Sequence, residues 1–75
     1  MLTKKQINVI ERFWKRGYFF NWDLPMIFAS EQARIECIKV FSSLGLIKEK
    51  NFKYFIDRER FLEYQNQNED RKLDE

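Results

Sequence analysis

The segment from Ser30 to Ile56 constrains the fold of this 75-residue chain more than any other part of the sequence. Ser30 is a common residue at the start of a helix, and Gly45 is a common residue just past the end of one. Between them, apolar residues recur at helical spacing and share one side: Ala33, Cys37, Val40, Phe41 and Leu44. The segment therefore predicts an amphipathic helix from about Ser30 to Leu44.

A β-hairpin is predicted directly after this helix. Residues 47–50 and 52–56 are the two predicted strands, and they flank a charged turn near Lys50-Asn51. Asn suits such a turn because it tolerates a positive φ. Upstream, the short aromatic run of residues 18–22 predicts a small strand. The expected fold class is α+β and mainly helical.

Three more helices are expected around these elements. The first runs from about Thr3 to Arg16, where Thr3 and Gln6 have the spacing of a capping box, and it ends at Gly17. A short second helix covers Leu24 to Ala29, with the preceding Asp23 as its cap. The helix that starts at Ser30 is then the third, and a last helix runs from Arg58 to about Gln65.

The charged residues divide the chain into a basic body and an acidic end. Residues 1–60 contain 12 Lys and Arg against 7 Asp and Glu, whereas residues 61–75 contain 2 against 5. We expect residues 1–64 to form one domain and residues 65–75 to form a flexible acidic polar tail. A basic body fits contact with nucleic acid, but ordinary soluble domains have similar balances.

The order of these elements resembles the winged helix-turn-helix family over about residues 3–62. The resemblance is carried by a helix, a short aromatic strand, a short helix, a longer helix, Gly45 and a hairpin. It implies three helices, a small β-hairpin wing that pairs with the strand at residues 18–22, and a short C-terminal helix. In DNA-binding members the third helix enters the major groove, and the wing lies along the adjacent backbone or minor groove.

Carried over to this chain, the resemblance implies a set of DNA-contacting residues. The third helix supplies groove contacts and the wing supplies phosphate contacts: Gln32, Arg34, Ile35 and Lys39, then Lys48, Lys50, Asn51 and Lys53. The expected function is that of a small transcriptional regulator that binds double-stranded DNA, acting as a homodimer. The mechanism is occupancy of a site, without chemistry.

Two features of the same surface favour another function. Glu31 and Glu36 lie on the predicted groove-facing side and repel phosphates. Ile35 is expected to be exposed there, either as an isolated apolar residue or as the anchor of a protein contact. The alternative is therefore a winged-helix adaptor module without DNA binding.

Aromatic residues left exposed between Phe13 and Phe28 would add a homodimer or partner surface, built from the first and last helices. The wing lysines also have a purely structural interpretation, in which they protect an exposed edge strand against aggregation.

Catalysis and metal binding are disfavoured by what the chain contains. It has no histidine, one cysteine and two glycines, so the usual zinc sites, His-based catalysis and glycine-rich phosphate loops are excluded. We therefore expect no enzyme activity, no metal and no cofactor, and we expect Cys37 to be a core residue.

No apolar run approaches the ~18 residues of a membrane span, and residues 1–6 lack the apolar stretch of a signal peptide. The expected location is cytoplasmic or nucleoid-associated, away from any membrane.

Overall fold

The computed structural model describes residues 2–73, with side chains as far as residue 67. The chain is a small, mainly helical α+β protein with a three-stranded antiparallel sheet. Its elements follow in the order α1 (Lys4–Arg12), β1 (Tyr18–Phe20), a 3-10 helix (Asn21–Met26), α2 (Glu31–Ser43), β2 (Ile47–Lys50), β3 (Lys53–Ile56) and α3 (Arg58–Leu73).

Helix α1 begins as its sequence predicts. The Thr3 hydroxyl accepts a hydrogen bond from the Gln6 amide at 3.2 Å, and the Gln6 side chain accepts one from the Thr3 amide at 2.9 Å. These two bonds are the capping box. The predicted end at Arg16 is wrong, because α1 ends at Arg12.

The four residues after α1 form turns, and a distant side chain binds two of their carbonyl groups. The Arg58 guanidinium donates to the Trp14 carbonyl at 2.6 and 3.1 Å and to the Lys15 carbonyl at 3.1 Å. Backbone carbonyl groups need hydrogen-bond donors, and here a side chain supplies them. The backbone can therefore leave the helical conformation after Arg12 without losing these bonds. Gly17 ends the turn region with a φ of 84°, the left-handed conformation expected of it.

The region between β1 and α2 differs from the sequence prediction in type and in bounds. The strand predicted over residues 18–22 covers only Tyr18–Phe20. In place of the helix predicted from Leu24 to Ala29, the structure has the 3-10 helix Asn21–Met26. Asp23 does not precede this helix but lies inside it, where its carboxylate accepts from the Phe20 amide at 2.9 Å. That bond starts the helix three residues early, and a short 3-10 helix tolerates Pro25 near its end.

Helix α2, the third of the predicted helices, confirms the expectation for both of its ends. The Ser30 hydroxyl accepts from the Ala33 amide at 3.2 Å. At the other end the Gly45 amide donates to the Ser42 carbonyl at 3.1 Å, and the Leu46 amide donates to the Phe41 carbonyl at 2.9 Å. With Gly45 at a φ of 72°, this pair of bonds is a Schellman motif, which turns the chain straight into β2.

The hairpin turn consists of Asn51 and Phe52, with φ angles of 53° and 68°. Two positive φ values are typical of the tight type I′ hairpin turn. Phe52 was predicted as the first residue of the second hairpin strand, and this is wrong, because β3 begins at Lys53. The predicted pairing of β1 with the hairpin is confirmed, with β3 as the central strand in the order β1-β3-β2.

The core lies between one face of the sheet and the helices. Its fully buried side chains include Phe19, Phe41, Ile10, Leu24, Leu46, Val9 and Cys37. Cys37 is therefore a core residue as predicted, and burial raises the pKa of its thiol to about 12.

Helix α3 contacts the residues on either side of α1 and extends beyond its predicted end. The Phe61 ring lies 5.6 Å from Trp14, and the Tyr64 hydroxyl accepts from the Leu2 amide at 2.8 Å. The predicted end near Gln65 is wrong, because α3 continues to Leu73. Its polar residues are mostly good helix formers, so the helix needs no apolar stripe there. The predicted flexibility of residues 65–75 falls largely outside the described side chains and stays a prediction.

Candidate nucleic-acid interface

The two faces of the sheet differ sharply in chemistry. Phe19 and Tyr54 are partners in register and stack at 5.3 Å, and with Ile47 and Ile56 they belong to the face turned to the core. Alternation of side chains along each strand then assigns the other residues to the opposite face. This outer face holds three aromatic residues and three lysines: Tyr18, Phe20, Phe55, Lys48, Lys50 and Lys53. No acidic residue of the three strands lies on it, because Glu49 belongs to the inner face.

Cations and rings contact each other on the outer face. The Lys53 ammonium lies 4.7 Å from the centre of the Tyr18 ring and 5.7 Å from that of Phe20. The Arg16 guanidinium lies 4.7 Å from the Tyr18 ring and pairs with the Asp23 carboxylate at 2.7 Å. Arg16 is thus largely neutralised by its partner, whereas the lysines of the hairpin supply the net positive charge of this face.

An exposed tryptophan extends the outer face at the β1 edge. The Trp22 ring lies parallel to the Phe20 ring, at 4.4 Å and an angle of 8°. Trp22 is nonetheless 65% exposed, so only one face of its ring is covered. Phe55 in the central strand is 40% exposed, and Phe52 at the hairpin tip is 80% exposed. The chain therefore presents several open ring surfaces on or beside the outer face.

Helix α2 presents a different surface. Ile35 is 43% exposed, as predicted, and it lies in a groove of about 380 Å³ with Ile38, Lys39 and Tyr54. Burial raises the pKa of Tyr54, and the neighbouring Glu49 carboxylate raises it further. Arg34 lines the same groove, but its Nη1 donates to the Phe28 and Ala29 carbonyl groups at 3.0 and 3.3 Å. This guanidinium ties α2 to the preceding loop.

The eight predicted contact residues therefore form two groups. Arg34, Ile35 and Lys39 meet at the α2 groove, whereas Gln32 is exposed on α2 outside it. Lys48, Lys50 and Lys53 share the outer face of the hairpin, and Asn51 forms its turn.

The sequence analysis expected exposed aromatic residues between Phe13 and Phe28, but it did not place any of them on the outer face or among the nucleic-acid contacts. Tyr18, Phe20 and Phe55 alternate with core residues along β1 and β3, so a two-residue period applied to both strands predicts their common face. The position of Trp22 beside them has no such signal, because it depends on the 3-10 helix that follows β1.

Positive charge follows the hairpin and avoids α2. On α2, Glu31 and Glu36 are exposed and balance the two cations of the helix, Arg34 and Lys39. The hairpin lysines have no acidic neighbour on their own face of the strands. Phosphate attraction is therefore stronger at the sheet than at α2, whose surface is close to neutral.

A second groove lies between α1 and α3. It has a volume of about 350 Å³ and is lined by Glu11, Trp14, Phe61, Leu62 and Gln65. This is where the sequence predicted a homodimer or partner surface, and that prediction stands untested.

The described part of the chain contains neither a membrane-length apolar helix nor three potential metal ligands in one place. A scan against protein-family models and searches of curated proteins and of solved structures each find no match.

Proposed function

We propose that this chain is a winged-helix DNA-binding protein that regulates transcription by occupying double-stranded DNA. The observation that carries the proposal is the outer face of the hairpin, where Lys48, Lys50 and Lys53 lie together and no acidic residue of the strands shares their face. The order of helices and strands, with β1 added to the hairpin, supports a winged-helix layout.

In this proposal the hairpin holds phosphates, and α2 contributes contacts in the groove. Lysines are effective here because each neutralised phosphate releases a condensed counterion. Gln32 and Lys39 are the exposed polar residues of α2 that suit base edges. Arg34 acts differently, because its bonds to the Phe28 and Ala29 carbonyl groups fix the start of α2.

The test is the salt dependence of binding to a mixed-sequence duplex, measured by fluorescence anisotropy. Three phosphate contacts give a logarithmic slope of about −2.7, or roughly a fortyfold loss of affinity when salt rises fourfold. Lys48→Gln with Lys50→Gln reduces the slope by about 1.8. The matched control is Lys4→Gln with Lys5→Gln, which removes two exposed charges from α1 and leaves the slope unchanged. Absence of duplex binding even at low salt contradicts the proposal.

A second function is favoured by the groove around Ile35. Its apolar residues Ile35, Ile38 and Tyr54 suit an apolar side chain of a protein partner, and the acidic residues of α2 do not oppose such a contact. In this adaptor function, Ile35→Asp releases the partner and leaves the fold intact, because Ile35 is 43% exposed. If the variant retains every partner recovered with the wild type, the groove is not the contact surface.

A further inference from the structure

We infer that the outer face of the sheet binds single-stranded nucleic acid, with bases stacked on Trp22 and Phe55 and phosphates held by the hairpin lysines. The inference goes beyond duplex binding, although it uses the same Lys48, Lys50 and Lys53. It rests on the rings of this face, for which duplex binding gives no role. Proteins that bind single strands combine aromatic stacking surfaces with a basic path for the backbone.

Trp22 is the first observation. One face of its ring is covered by Phe20 at 4.4 Å, and the side chain is still 65% exposed. The Phe20 ring supports the indole from below and fixes its orientation, so the ring is held in place before any ligand arrives. A base stacks well on a flat ring held in this way, because little conformational freedom is lost on binding.

Each cross-strand row of the outer face contains both rings and cations, which is the second observation. One cross-strand row consists of Phe20, Lys53 and Lys50, and the next consists of Tyr18, Phe55 and Lys48. Neighbouring strands lie about 4.8 Å apart, so each ring has a cation within the reach of one nucleotide. The lysines that complement phosphates are thus placed beside the rings that complement bases.

The hairpin tip provides a third, independent observation. Phe52 has a φ of 68° and is 80% exposed. A bulky residue is disfavoured in this conformation, and an exposed ring contributes little to the core. Folding alone does not explain a phenylalanine here, whereas a base-stacking role at the end of the outer face does.

The same features argue against the other occupants of such a face. A second copy of the chain on a two-fold axis brings two sets of three lysines together, which repel. Helices that bind a lipid surface keep their cations and their inserted apolar residues on separate faces, whereas this face of the sheet places lysines and rings in the same rows. Planar rings with cations beside them match a flexible polyanion that carries planar groups.

The test compares an oligothymidine of about 16 nucleotides with an abasic oligomer of equal length. A Trp14→Phe background leaves Trp22 as the only tryptophan, so quenching of its fluorescence reports stacking directly. We expect quenching by oligothymidine and tighter binding of it than of the abasic oligomer. Trp22→Ala with Phe55→Ala weakens binding of labelled oligothymidine by roughly tenfold or more, whereas Trp22→Phe retains most of the affinity. Leu62→Ala, an exposed apolar residue of α3, is the control and has no effect.

The outcomes separate this inference from duplex binding. Single-strand binding that depends on the rings supports the inference, with or without duplex binding. Duplex binding alone, or equal affinity for the two oligomers, overturns it and leaves the proposed function standing. Binding to phosphatidylserine vesicles that needs Trp22 and Phe55, while oligothymidine binding does not, also overturns it. So does a dimer in sedimentation that the double variant dissociates. Circular dichroism melting of each variant confirms that the fold is retained.

Discussion

The turn residue Phe52 provides a prediction in which stability and binding change in opposite directions. Its φ of 68° is a conformation in which a Cβ atom is disfavoured, and its side chain is 80% exposed. Phe52→Gly removes the backbone strain, and Asn-Gly is the favoured pair for a type I′ hairpin turn. Phe52→Ala removes the ring but keeps the Cβ atom. Comparing the two variants separates strain from burial.

The expected changes in the free energy of unfolding follow from the φ angle of Phe52 and from its exposure. About one fifth of the Phe52 side chain is covered, so loss of the ring costs about 0.5 kcal/mol of the ~1.5–3 kcal/mol for complete burial. Glycine is favoured over alanine at a positive φ by about 1 kcal/mol after allowance for the entropy of the unfolded chain. Phe52→Ala therefore lowers the free energy of unfolding by about 0.5 kcal/mol, and Phe52→Gly raises it by about 0.5 kcal/mol.

Urea unfolding followed by circular dichroism measures both changes. Lys50 is the matched control, because it is exposed, adjoins the turn and has no positive φ. At that position glycine is less stable than alanine by about 0.5–1 kcal/mol. If Phe52→Gly is no more stable than Phe52→Ala, or if Lys50 shows the same order, the strain argument is wrong. Under the single-strand inference, Phe52→Gly also weakens oligothymidine binding while the fold becomes more stable.

Three more predictions concern the stability of the fold. Gly45→Ala destabilises the fold by about 1–2 kcal/mol in urea unfolding, because φ is 72° and the added Cβ lies 3.1 Å from the Arg60 Nε. Thr3→Ala costs about 1 kcal/mol in the same assay, because it removes the cap of α1. For Cys37, the folded pKa of about 12 exceeds the ordinary 9.0, so the neutral thiol's contribution is complete below pH 9 and declines as pH rises to 12. The stability difference between wild type and Cys37→Ala shrinks over that range, by up to about 1.4 kcal/mol per pH unit.

The elements of this fold that the sequence predicts well are those with local signals. Ser30 and Gly45 fix both ends of α2, because a cap and a left-handed glycine act within a few residues. The end of α1 at Arg12 depends instead on Arg58, which is distant in sequence and binds the turn carbonyl groups. The bounds of the 3-10 helix likewise depend on the Asp23 carboxylate, whose bond to the Phe20 amide no periodicity predicts.

The candidate site likewise combines features that local sequence patterns predict with features that depend on distant contacts. Helical spacing places Ile35 on the exposed side of α2, and its exposure of 43% confirms that prediction. The role of Arg34 could not be read from spacing, because it depends on where the Phe28 and Ala29 carbonyl groups lie in space. The outer face of the sheet required the pairing register of β1 with β3, which brings Phe20 beside Lys53.

The geometry of β3 leads to a last prediction about which ligands exclude each other. Tyr54 lines the α2 groove, while its neighbours Lys53 and Phe55 point to the outer face. A protein bound at the Ile35 groove and a single strand on the outer face therefore occupy opposite sides of one strand and bind together. A duplex and a single strand both require the hairpin lysines, so they compete. Anisotropy competition with labelled oligothymidine tests this: unlabelled duplex displaces the oligomer, whereas a partner protein adds to the complex. Displacement by the partner, or simultaneous binding of duplex and single strand, contradicts the assignment of the two faces.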